Sequence, residues 1–400
     1  SGNGDQLVYE NGGWLYRLDL KTGVPEKINV SISFDNPNLL PYYKNVKENI
    51  HSAAISPTGK RALFDARGDI FSVPAENGIT ENLTETQGIR EIFPGWSPDG
   101  KYISYYSDAT GEYELYLLEN KKGATPRQIT SGSSAWKYQP AWSPDNKYLL
   151  YFDRTLKLKL TEASTGKTTD VDHAMGSEMR SYSFSPDSRW IAYTKEGSND
   201  KTAIWVYEVS TGKKTQVTDG TYSDDNPVFS SCGNYLFFTS NRTYNLSFSD
   251  FEFDYLYNDA GKMYAISLTT KSPKIFRDKN DTEPVTAEKT PVATPPSKDK
   301  KPKPATADTA ASAKTTVKVD IDFENINYRI TALPGETGNY RIIGVVEGGL
   351  VYISNGKLMK YSLSEEKSDE ILDRVMMASI SADKKMLMYR SGQDYGIIKI

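Results

Sequence analysis

The chain has 400 residues, 48 Lys+Arg against 52 Asp+Glu, a net charge of -4 and 38% hydrophobic content. That balance gives no global positive field for steering nucleic acid and no charge excess that would force disorder. The single cysteine, Cys232, closes no intrachain disulfide and builds no multi-cysteine metal site, and no apolar run approaches the ~20 residues needed to span a bilayer. With 27 Tyr, 14 Phe and 6 Trp but two His, the composition points to pleated, half-buried strands.

In chain order, the sequence opens Ser1-Gly-Asn-Gly without an initiator Met and closes on Gly396-Ile-Ile-Lys-Ile400, as if inside a strand. It reads as a piece of something longer. Residues 1–50 supply strands without a leading partner, at Gln6-Leu-Val-Tyr9, Trp14-Leu-Tyr-Arg-Leu18 and Glu26-Lys-Ile-Asn-Val30, and then a linker. Next a punctuation mark recurs at Ser56-Pro-Thr-Gly59, Ser97-Pro-Asp-Gly100, Ser143-Pro-Asp-Asn146 and Ser185-Pro-Asp-Ser188, with weaker copies at Ser230-Ser-Cys-Gly233 and Ser381-Ala-Asp-Lys384. Its second positions, 57, 98, 144, 186 and 231, are spaced by 41, 46, 42 and 45 residues. That is the period of a propeller blade, about 40–45 residues for four strands.

The mark has the chemistry of a tight turn: Pro presets φ, Asp bonds locally, and Gly or Asn accepts a left-handed backbone. Apolar runs flank it, as in Ile92-Phe-Pro-Gly-Trp96 and Tyr102-Ile-Ser-Tyr-Tyr106, so it joins a blade's first strand to its second. Third strands follow at Asp69-Ile-Phe-Ser-Val73, Tyr113-Glu-Leu-Tyr-Leu117, Ile204-Trp-Val-Tyr207 and Lys262-Met-Tyr-Ala-Ile266, with the period-two alternation of half-buried strands. Blades are expected from about residues 52, 92, 138, 180 and 226, a sixth over 341–373 and a seventh from Met376 that ends after its third strand. The expected fold is an all-β, single-domain propeller over 1–400, with seven blades of four antiparallel strands. Pairing of the N- and C-terminal strands would close the ring. A second assignment stays open, in which the hairpin at 5–20 belongs to a blade upstream.

Two segments break the rhythm. Residues 280–316, with Pro295-Pro-Ser-Lys-Asp-Lys-Lys-Pro-Lys-Pro304, bury too little apolar surface to offset ordering entropy and read as a flexible insertion in blade five. Residues 244–257 form an acidic, aromatic insertion between the second and third strands of the same blade. Its Tyr244, Phe248, Phe251, Phe253 and Tyr255 are the candidate contact residues for a partner or substrate; the plainer reading is that they cover the rim of their own blade.

The search for chemistry yields no catalytic, cofactor or metal residue. There is no Gly-x-Ser-x-Gly elbow, no His-Glu-x-x-His, no Cys-x-x-Cys and no P-loop. His51 and His173 read as loop histidines, and Asp224-Asp225 as turn caps at a blade entrance rather than a glycosidase pair.

The repeat resembles TolB-type propeller repeats, which say little about function. More specific stretches are Asn226-Pro-Val-Phe-Ser-Ser-Cys-Gly-Asn-Tyr-Leu-Phe-Phe-Thr-Ser-Asn-Arg242, Ser249-Asp-Phe-Glu-Phe-Asp-Tyr255 and Ile321-Asp-Phe-Glu-Asn-Ile-Asn-Tyr-Arg-Ile-Thr-Ala-Leu-Pro-Gly-Glu-Thr-Gly-Asn-Tyr340. These, with Arg67–Ala75 and Met179–Tyr193, resemble the second, seven-bladed propeller of tricorn-type proteases. In that family two propellers precede PDZ and serine-peptidase domains, whose catalytic residues match no position here. The resemblance implies a non-catalytic propeller that gates or guides peptide or unfolded-protein substrates. It would contact the PDZ and peptidase domains of its parent chain and help build a homo-oligomer. No cofactor, nucleic acid or membrane insertion is implied. The Pro/Lys insertion, seen in bacterial homologues, points to the periplasm, with the cytoplasm as the alternative. Two rival readings are a free-standing TolB-type protein-binding propeller and a glycan-active propeller enzyme.

Overall fold

The computed structural model describes residues 4–31, 44–276 and 317–400, apart from positions 122, 245, 252 and 258. The chain divides into two compact units, Ser1–Asn45 and Val46–Ile400. In the first, Gln6–Asn11, Trp14–Asp19 and Pro25–Lys27 form one antiparallel sheet whose strands pair with each other. Asp19 sets the second turn of that sheet. Its Oδ1 accepts the Thr22 and Lys21 N–H groups at 2.9 Å each, and those bonds hold its carboxyl below the ordinary range.

The second unit is a ring of seven sheets. Its blades open with the first strands Ile50–Ile55, Glu91–Trp96, Ala141–Trp142, Tyr182–Phe184, Asp224–Phe229, Arg341–Val346 and Met377–Ile380. Blades one to six have four antiparallel strands in chain order, and blade seven has three, ending on Asp394–Lys399. The expected joining of N- and C-terminal strands is not among the ladders. Blade seven instead meets blade one through side chains, with Met377, Met386, Met388, Tyr395 and Ile397 against Ala53, Ile55, Ala62 and Phe64. Similar apolar clusters fill the spaces between successive blades, such as Leu63, Ile70, Ile103, Tyr105 and Leu118 between one and two. The Pro/Lys segment expected at 280–316 lies outside the described residues.

Turn chemistry explains the repeat. In the second blade the Ser97 Oγ donates to Asp99 Oδ1 at 2.7 Å and accepts the Tyr102 N–H at 2.9 Å, while the Gly100 N–H closes on the Ser97 carbonyl. Ser143, Ser185 and Ser381 repeat the Ser–Asp bond at 2.6 Å each. The fourth position is left-handed in every copy, with φ of +73° at Gly59, +74° at Gly100, +63° at Asn146, +60° at Ser188, +74° at Gly233 and +61° at Lys384. Glycine and asparagine adopt that region readily, whereas Ser188 and Lys384 carry its strain. Blade six shows no mark because Glu347 and Gly348 alone join its first two strands.

The buried turn serines and the buried charges lie at opposite faces of the ring. The serines of the six marks sit at the turn face. Every buried charged residue among the described ones lies at the opposite ends of the strands: Asp65, Glu91, Glu114, Lys137, Asp153, Asp172 and Asp224. Each acid there has donors, as burial demands. Asp65 accepts the Ser52 N–H of its own blade and, at 3.2 Å, the Phe93 N–H of the next.

Candidate functional site

The first strands of neighbouring blades are the strands that approach one another, so they line the axis. Several carry an x-Pro step that local sequence forces out of the ladder: Phe93-Pro94, Gln139-Pro140 and Asn226-Pro227. At two of them the register slips, between Ile92 and Gly95 and between Asp225 and Val228, with Phe93 and Asn226 at positive φ. The carbonyls so released bind the neighbouring blade. Gln139 Nε2 donates to the Pro94 carbonyl at 3.3 Å, and Ser183 Oγ to the Pro227 carbonyl at 2.7 Å.

The inner strands of blades four to seven enclose a cavity of about 350 Å³. Its walls include Ser181, Ser183, Asn226, Met377 and Ala378, and its two charged residues are arginines, Arg180 and Arg341. Arg180 is held by Glu178 and by the Tyr138 hydroxyl, and Arg341 Nη2 donates to the Met376 carbonyl at 3.0 Å. The turn marks stand at one end of this axis and are tied together there. Asp99 N–H donates to Asn146 Oδ1 at 2.9 Å, Asp145 N–H to Ser188 Oγ at 3.0 Å, and Asp383 N–H to the Pro57 carbonyl at 3.0 Å. Lys384 Nζ reaches Ser231 Oγ at 2.6 Å, joining blades seven and five.

The aromatic insertion is a separate hairpin, Leu246–Ser249 against Asp254–Tyr257. Tyr244, Phe248, Phe251 and Phe253 are exposed, Phe251 at 94% and Phe253 at 81%. Phe248 and Phe253 meet edge-on at 6.3 Å. Tyr255 stands opposite Phe248 on the returning strand, and its side chain lies outside the described set. The hairpin grows from Arg242, whose Nη2 bonds both oxygens of buried Asp224 and whose guanidinium lies 5.2 to 5.4 Å from the rings of Phe238, Tyr264 and Tyr222. Asp224 is thus an anchor for this hairpin, and not the cap of a turn.

A second hollow, of about 360 Å³, opens between blades five and six beside the hairpin's return to the sheet. Met263 and Leu333 give it an apolar floor, and Tyr340 and Tyr352 give it walls with ring centroids 5.3 Å apart. Burial raises the phenol pKa of both. Neither the axial cavity nor this hollow was visible in the sequence, since each draws on strands from different blades; the x-Pro steps were the one local signal of the axis.

Two of the buried charges at the loop face stand out. Glu114 accepts from Thr130 Oγ1 at 2.6 Å and the Ser133 N–H at 2.7 Å and lies 3.9 Å from Lys137, whose ammonium burial pushes below its ordinary pKa. The pair ties blade two to blade three.

A family model described as "Tricorn protease second beta propeller domain" matches residues 50–400. The chain belongs to that family. It is similar to the tricorn protease homolog 1 of Streptomyces coelicolor, 22% identical over 98% of this chain and 38% of the relative. It is also similar to the tricorn protease of Thermoplasma volcanium, 22% identical over 98% of this chain and 36% of the relative. The crystal structure of the tricorn protease superposes on all of the chain and 37% of its own, with a TM-score of 0.69 at 17% identity. This tricorn second propeller therefore spans well under half the length of the curated relatives it matches.

Proposed function

We propose that this propeller is a non-catalytic part of a tricorn-like serine peptidase, passing extended peptides along its axis and meeting other domains through the blade-five hairpin. The axial cavity carries the reading. Its walls of mixed polar and apolar side chains, with the ring's buried acids engaged elsewhere, suit a backbone that must slide rather than bind. Arg341, whose guanidinium bonds a carbonyl and not an acid, adds a positive group that favours acidic side chains or a carboxylate end. The hairpin, with four exposed aromatics on a rooted base, supports the contact role.

The test uses the longer parent protein and this chain alone. The chain alone should hydrolyse no peptide. In the parent, Met377→Trp should slow cleavage of a long unstructured peptide several-fold and leave a chromogenic dipeptide substrate nearly unaffected. Long-peptide cleavage that is indifferent to both Met377→Trp and Ser181→Trp would sink the reading, as would robust hydrolysis by the isolated chain.

A further inference from the structure

The hollow between blades five and six has a polar inventory that the axial reading does not use. Four charged residues line it, two of each sign: Lys262, Lys367, Glu336 and Glu366. Lys367 is committed, since its Nζ lies 3.1 Å from Glu365. The hydroxyls of the two tyrosines are committed as well. Tyr340 donates to the Glu336 carbonyl at 2.6 Å, and Tyr352 to Ser368 Oγ at 2.8 Å, so both present rings rather than donors. Lys262 and Glu336 are different. Among the described residues the Lys262 ammonium and the Glu336 carboxylate make no ion pair, although both residues line the same space. They do not reach each other.

An uncommitted cation and an uncommitted carboxylate set apart across an aromatic-walled hollow are complementary to a molecule charged at both ends. We propose that this cleft binds a short peptide with free termini. The peptide's α-carboxylate meets Lys262, its α-ammonium meets Glu336, and an apolar side chain lies between Tyr340 and Tyr352 over Met263 and Leu333. The space, about 360 Å³, sits at the small end of the roughly 300–1,000 Å³ of ligand sites, and suits two residues better than an extended chain. Charged termini are the discriminating feature, because hydrogen bonds that involve ionised groups are about twice as strong as neutral ones. This site is distinct from the axial cavity, and its occupancy does not depend on whether peptides travel the axis.

The experiment is calorimetric titration of the chain with Ala-Phe, with N-acetyl-Ala-Phe-amide and with free phenylalanine. Ala-Phe should bind saturably, the doubly blocked analogue at least about tenfold more weakly, and phenylalanine more weakly than Ala-Phe. Lys262→Met and Glu336→Gln should each weaken Ala-Phe about tenfold with melting temperatures close to the parent's. No saturable binding of Ala-Phe, equal binding of the blocked analogue, or phenylalanine binding as tightly as the dipeptide would each overturn the proposal. The ligand comparison on the unaltered chain stands even where a variant fails to fold.

Discussion

Arg242 Nη2 lies 2.7 and 2.8 Å from the two carboxylate oxygens of Asp224, a side chain with no solvent exposure. One nitrogen satisfies both oxygens, and three aromatic rings surround the guanidinium from which the bond comes. Removing the cation strands a buried charge, so Arg242→Met should cost about 3–5 kcal/mol. Replacing both partners, as Asp224→Leu with Arg242→Met, should cost less than that single change. Urea denaturation of the three chains checks the order; a double variant less stable than Arg242→Met would contradict it.

The tryptophans that end the first strands of blades two and three make a controlled comparison. Trp142 Nε1 donates to Ser104 Oγ at 3.0 Å on the neighbouring blade. Trp96 holds the same place one blade earlier, and among the described residues its buried Nε1 has no partner. The reason is the residue opposite: Ser104 pairs with Gly95, and the matching position beside Ala54 is Leu63. Trp142→Phe should therefore lower stability by about 1 kcal/mol more than Trp96→Phe, the usual net worth of one hydrogen bond. Paired thermal melts measure the difference, and equal losses would contradict the assignment.

Glu91 gives a pH signature. Burial raises its carboxyl above the ordinary range, against the pull of the Thr86 hydroxyl at 2.8 and 2.9 Å. A folded-state pKa above the unfolded one means that the native chain holds the proton more tightly, so this residue's contribution falls as pH rises through the raised value. Glu91→Gln should remove that loss. Its melting temperature relative to the parent should climb from pH 4.5 to pH 7, and a flat difference would contradict the sign.

Asp172 should behave in the opposite way. Burial pushes its carboxyl up, but the His173 N–H, Lys214, the Tyr193 hydroxyl and Lys195 together pull it below the ordinary value. Its stabilisation is present above the unfolded carboxyl pKa and is lost as pH falls through the lower folded one. Asp172→Asn should cost about 2 kcal/mol at neutral pH and progressively less in acid. Melts at pH 7 and pH 3 decide it.

Cys232 is exposed in the blade-five turn beside Ser231, at the end of the axis where the turns meet. A maleimide should label it fully in the native chain. In the longer parent, a polymer-bearing maleimide should slow long-peptide cleavage while Cys232→Ser abolishes that effect. Unaltered cleavage after complete labelling would place the peptide path elsewhere.

The ring was legible where its causes are local. Ser-Pro-Asp-Gly closes its own hydrogen bonds within five residues, so blades one to five could be located to within a few positions, and the hairpin at 246–257 fell between the strands expected. The axis was not legible, because Ser183 binds Pro227 and Gln139 binds Pro94 across blades, and nothing near either residue in sequence announces its partner. Lys262 and Glu336 are 74 positions apart and meet one hollow only through the packing of two sheets. The seventh sheet, expected to borrow strands from the other end of the chain, is sealed to the first by methionine and tyrosine side chains.

Blade six joins its first two strands through Glu347 and Gly348, where its neighbours spend five residues, and the Lys384–Ser231 bond passes from blade seven to blade five across that short turn. The rim is consequently lower on one side, with a single ammonium strung over the dip. Six longer turns and one short one surround this end, so the opening has a direction even though the fold beneath it repeats sevenfold.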